Sequence, residues 1–231
     1  MTHYRVRVPL IAALLLSAST FAAEPPSPFT SKQEYRAFVQ GYHENPQPER
    51  IEAAMRFVAG SDVMTHDDTD LMTLVTFSCL FARHPDGKPA FKQSIASLDE
   101  PARAYFLKAI DSDPADLFLR VPLQPKKNDM SWGCYFVTGD VSYVQDVIAA
   151  LKNLGERQDL WKYLTASSAQ WSLSGIAKDD ARVRAELEQA AKGKNTVVAD
   201  AARDALQKPP GAIRAETLEV MKAQKAAGVW K

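Results

Sequence analysis

Apolar residues recur at helical spacing along most of the chain. Tyr35, Phe38, Val39 and Tyr42 fall on one face. Ser31 with Glu34 three residues on forms a capping-box start for that helix. Asn45-Pro46-Gln47-Pro48 ends it. Ile51, Ala54, Met55 and Val58 mark a second stripe, and Gly60 is a natural stop. The stretch 68–83 differs, because Leu71, Met72, Leu74, Val75, Phe77, Cys79, Leu80 and Phe81 cover nearly its whole circumference. A helix with no polar face belongs in an interior, so this one is expected to be central. Asp67, Asp68 and Asp70 complement the positive end of its dipole. His84-Pro85-Asp86-Gly87 reads as a turn, 89–96 as a short helix, and Asp99-Glu100-Pro101 as the start of another.

The pattern changes at 113–127. Leu117, Leu119, Val121 and Leu123 alternate as in a strand, but Pro114, Pro122 and Pro125 interrupt them. The expectation is an extended connector lying on apolar surface. It divides an N-terminal half (31–112) from a C-terminal half (128–231). Asn128 or Asp129 then caps a short helix that Gly139 stops, and Asp140 caps the next, which carries Val144, Val147, Ile148 and Leu151. A long helix follows over about 157–177. Asp179 or Asp180 starts another, Gly193 separates that from its successor, and Pro209-Pro210-Gly211 precedes the last. The predicted fold class is all-α, with roughly ten to twelve short helices in consecutive antiparallel hairpins. An irregular bundle and a degenerate α-solenoid both satisfy the pattern.

The N-terminus adds a compartment. Arg5 and Arg7 precede the apolar run Leu10 to Leu16, and Thr20-Phe21-Ala22 fits a small-x-small cleavage site. Residues 1–22 thus read as a signal peptide, followed by a Pro-rich leader at 23–30. The apolar run falls short of the ~20 residues that span a bilayer. The expected mature protein is periplasmic or extracellular, with no stable membrane insertion after cleavage. Of 231 residues, 28 are Lys or Arg and 28 are Asp or Glu. That balance lacks the basic excess of a nucleic-acid binder. Cys79 and Cys134 are a disulfide candidate in such a compartment, and closing that loop stabilises by ~4 kcal/mol in the chain-entropy model. Two buried free thiols are the alternative.

Motifs for chemistry are scarce. There is no His-x-x-x-His or His-x-x-Glu pair, no nucleophile elbow and no glycine-rich phosphate cradle. The polar run 64–70, with His66, Asp67, Asp68 and Asp70, reads as a charged helix start. The acids at 111–116 lack the glycine and distal glutamate of a calcium loop. No catalytic residue, metal site or cofactor is assigned. The segment Asp129-x-x-Trp132 to Gly139-Asp140-x-x-Tyr143, with Ala169-Gln170-Trp171-Ser172-Leu173, resembles exported helical bacterial proteins of uncharacterised activity. That resemblance covers part of the chain and implies helices. Trp132 and Trp171 are candidates for the walls of a ligand groove. The expected function is a non-catalytic binding protein of the bacterial periplasm whose partner is another protein. An envelope enzyme of the cell-wall hydrolase type and a periplasmic immunity or inhibitor protein are the alternatives.

Overall fold

A computed structural model describes residues 27–64 and 70–230. The segment 1–22 read as a signal peptide, the start of the Pro-rich stretch after it, and His66, Asp67 and Asp68 lie outside the described residues. The described residues are 77% helical, with twelve α-helices and no strand among them. The fold is an irregular all-α bundle.

The first helices are α1 (Lys32–Gly41), α2 (Ile51–Ala59), α3 (Asp70–Arg83), α4 (Lys88–Ser94) and α5 (Glu100–Asp111). Their ends follow local chemistry. Ser31 Oγ accepts from the Glu34 amide at 3.1 Å, while the Glu34 carboxylate reaches back to the Thr30 amide at 2.9 Å. Asp99 Oδ1 accepts from the Ala102 amide at the start of α5, where Pro101 occupies the first turn. The end of the leader is pinned to this unit. Phe29 is buried against Tyr35, Phe38 and Phe57, and the Arg50 guanidinium lies 4.2 Å from its ring centre.

Residues 113–127 correct the expected extended connector. Two helices occupy most of this stretch: α6 (Pro114–Leu119) and the first turn of α7 (Pro125–Thr138). Pro114 and Pro125 start helices here rather than break them, because a first-turn residue has no intrahelical use for its N–H, while Pro122 lies in the non-helical link between α6 and α7. Asp113 Oδ1 caps α6 by accepting from the Ala115 amide at 2.8 Å. Helix α7 follows Gln124, so Asn128 sits inside it, buried, and not at its start. Gly139 ends α7 in the left-handed region (φ 71°), as a C-terminal glycine does.

The remaining helices are α8 (Ser142–Ala150), α9 (Leu160–Ile176), α10 (Ala181–Ala190), α11 (Thr196–Gln207) and α12 (Pro210–Ala226). Asp140 accepts from the Ser142 amide at the head of α8. Asp180 caps α10 through the amides of Arg182 and Val183, and its other oxygen accepts the Tyr135 hydroxyl at 2.6 Å.

Two apolar cores result, and α7 belongs to both. Met130, Cys134 and Val137 face the first core, with α3 at its centre, alongside Leu74, Phe77, Phe81 and Phe106. Trp132 and Tyr135 face the second, against Val144, Val147, Leu151, Leu173 and Val183. Helix α3 is buried continuously from Thr73 to Phe81, the environment that its all-round apolarity demands. It packs on α7 and α5. A Cβ on Gly133 would overlap Thr76 Oγ1, so glycine permits the close crossing of α3 and α7. Cys79 and Cys134 form a disulfide across the same contact, with Cα atoms 5.3 Å apart.

Candidate functional site

A groove of about 690 Å³ opens where α6, α7, α8 and α9 meet. Helix α6 forms one lip. Leu117 is buried and anchors that helix, Phe118 stacks on Tyr143 with ring centres 5.9 Å apart, and Leu119 is left 82% exposed. Leu123, on the segment before α7, continues the lip and is also exposed. Six residues of helix cannot turn all three side chains of Leu117-Phe118-Leu119 inward, so one large apolar group faces water.

The other walls follow helical spacing. Helix α7 supplies Lys127, Asn128 and Ser131, and α8 supplies Tyr143, Asp146, Ala149 and Ala150. At the back, Asn128 Nδ2 donates to the Thr165 carbonyl at 2.8 Å, and Thr165 Oγ1 donates to the Trp161 carbonyl at 2.7 Å. The first bond joins α7 to α9 and satisfies a buried amide N–H group, and the second lies within α9.

Carboxylates gather around Tyr143. Burial raises its phenol above the ordinary tyrosine range, and Asp140, Asp146 and Asp113 add to the rise. Burial likewise lifts the Asp146 carboxyl above its usual range, with Lys127 opposing and Asp140 reinforcing. The groove therefore combines an apolar lip with two carboxylates, Asp113 and Asp146, and two lysines, Lys127 and Lys152. Chemically it can take an apolar side chain and pair a cation next to it.

The tryptophan candidates do not line this groove. Trp132 is buried in the second core, stacked on Phe136, with Nε1 donating to Ser172 Oγ at 2.9 Å. Trp171 is 47% exposed on α9, and neither residue lines the α6–α9 groove. Indole burial with its N–H satisfied is core behaviour. His84 Nε2 lies 2.8 Å from the Tyr42 hydroxyl. His43 Nδ1 lies 3.2 Å from the Phe136 carbonyl. His84 thus ties the end of α3 to α1, and His43 ties the end of α1 to α7. No cluster of His, Cys, Asp or Glu suited to a metal ion occurs among the described residues.

Sequence reasoning did not single out Asp146, Tyr143, Asn128 or Leu119 as site residues. The available signal was Leu119, an apolar side chain in a helix too short to bury it. No family model matches the chain, and no curated protein or solved structure shows a significant match to it.

Proposed function

We propose that the mature chain is an exported binding protein of the bacterial periplasm, and that the α6–α9 groove holds an apolar segment of another protein. One observation carries this reading: Leu119, 82% exposed, stands at the lip of a groove already lined by Phe118 and Leu123. Covering a leucine side chain contributes about 1.5–3 kcal/mol, and nothing among the described residues covers this one. On its wall Asp113 and Asp146 can receive a lysine or arginine next to the docked apolar residue, and Lys127 and Lys152 an acid. Arg5, Arg7, the apolar run from Leu10 and the Ala22 cleavage site support export. The Cys79–Cys134 bridge is in keeping with an oxidising compartment. An inhibitor that occupies a toxin enzyme is a special case of the same reading.

A photo-crosslinking residue at position 119 or 123, introduced in the native cell, should give one discrete protein adduct. The same residue at Leu218, exposed on α12, should give none. No adduct from either lip position, or the same adduct from 218, would overturn the proposal. The carboxyl of Asp146, raised by burial in the groove wall and by Asp140 nearby, favours a second reading, an envelope hydrolase. Turnover of cell-wall fragments by the wild type and not by Asp146→Asn would establish that reading instead.

A further inference from the structure

A second cavity, of about 400 Å³, lies between α9, α11, α12 and the turn before α9. It shares no lining residue with the α6–α9 groove. Its floor carries polar groups that the fold does not use. Ser167 is 4% exposed, and its hydroxyl has no hydrogen-bond partner. Buried hydroxyls are almost always paired, so an unpaired one lining a cavity points to a ligand. Tyr163 is also buried, with its ring against Trp230, and its hydroxyl makes no hydrogen bond to another described residue. Gln170 spends its amide N–H on the Ala201 carbonyl at 3.1 Å, which leaves its own carbonyl oxygen as an acceptor.

The charges at the rim do not cancel locally. Asp200 pairs with Arg203. Asp204 and Glu216 share one lysine, Lys208, at 2.9 and 3.0 Å, so that trio keeps one negative charge. Arg157 reaches the same cavity and has no carboxylate partner among the described residues. One uncompensated cation and one uncompensated anion thus face a single cavity floored by neutral hydrogen-bonding groups. A neutral sugar would leave both charges unanswered, and a simple anion or cation would leave one.

We propose that this cavity binds a small zwitterion carrying an α-ammonium and a carboxylate, a free amino acid or a short peptide. Arg157 receives the carboxylate, Asp204 and Glu216 receive the ammonium, and Ser167, Tyr163 and Gln170 serve the atoms between. Guanidinium–carboxylate pairing is the geometry for which arginine is suited, and the volume lies in the range of small-molecule sites.

Isothermal titration of the intact protein with the common L-amino acids, and with L-alanyl-L-alanine, tests the assignment. At least one probe should bind at millimolar concentration or below. Tighter binding of the dipeptide assigns the cavity to peptides, and tighter binding of a single residue assigns it to free amino acids. The N-acetyl and the C-terminal amide derivatives of the best probe should each bind about tenfold more weakly or worse, as should Arg157→Ala with the parent probe. Ser167→Ala should weaken binding without lowering the melting temperature of the free protein, because no protein hydrogen bond is lost. Leu119→Asp should leave this binding unchanged, which separates it from the fate of the α6–α9 groove. No binding by any probe, equal binding of the blocked derivatives or of N-acetylglucosamine, or an unchanged affinity in Arg157→Ala would each overturn the proposal.

Discussion

Gly133 faces Thr76 where α7 crosses α3, and no Cβ fits there unless Thr76 moves. Gly133→Ala should therefore destabilise by about 1–3 kcal/mol despite the better helix propensity of alanine. The cost should shrink when Thr76→Ala is combined with it, because the overlap is with the Thr76 hydroxyl. Urea unfolding of the four members of this cycle checks it, and additive losses would place the strain elsewhere. Tyr42 gives a test with a pH axis. Its buried phenol is pushed up to about 12, with Glu49 adding to the effect of burial and Arg83 opposing it. The folded state thus holds this proton more tightly than the unfolded chain, whose tyrosines titrate near about 10. Stability from this group is complete below that pH and is lost as pH rises through 12. Tyr42→Phe should cost about 1 kcal/mol at neutral pH through the lost bond to His84. Its stability should fall less steeply than that of the wild type above pH 10. Parallel curves would show that the phenol titrates alike in both states.

Two elements, α3 and α7, hold the molecule together, and the disulfide joins them directly. Replacing both cysteines by alanine should cost about 2–4 kcal/mol in urea unfolding. Oxidised, denatured protein should show no thiol reactive toward a thiol reagent; two reactive thiols would mean the bridge does not form. The central place of α3 was legible from the sequence because no polar face interrupts it. The starts of α1, α5 and α10 were legible from Ser31, Asp99 and Asp180, whose side chains do accept the first-turn amides. The stretch 113–127 was not, for a geometric reason. Leu117 and Val121 are buried, while Leu119 and Leu123 are exposed. Apolar residues two apart suggest a strand, yet α6 ends at Leu119, so Leu117 is buried from a helix and Val121 from the link that follows it. Pro114 and Pro125 were read as breaks where they occupy the first turns of helices. The grooves were illegible for a different reason. Each collects single residues from three or four helices, and no local pattern reports which helices meet.

At the scale of the whole chain, α7 makes two cores into one structure. The four tryptophans all lie in the second half, at 132, 161, 171 and 230, whereas helix is spread over both halves. If the cores melt together, tryptophan fluorescence and far-ultraviolet circular dichroism should give one coincident transition in urea. Two separated midpoints would show that α7 can leave one core and stay in the other. The shared helix also imposes an order on the birth of the protein. A ribosome releases residues from the N-terminus, and the first core lacks Met130, Cys134 and Val137 until more than half of the chain has emerged. Until then the nine-residue interior run of α3 has no α7 to lie against. Such a nascent chain presents an apolar strip to whatever surrounds it for longer than a two-domain chain of equal length would. Sharing one helix between two cores thus brings a longer exposure to aggregation and to chaperones during synthesis.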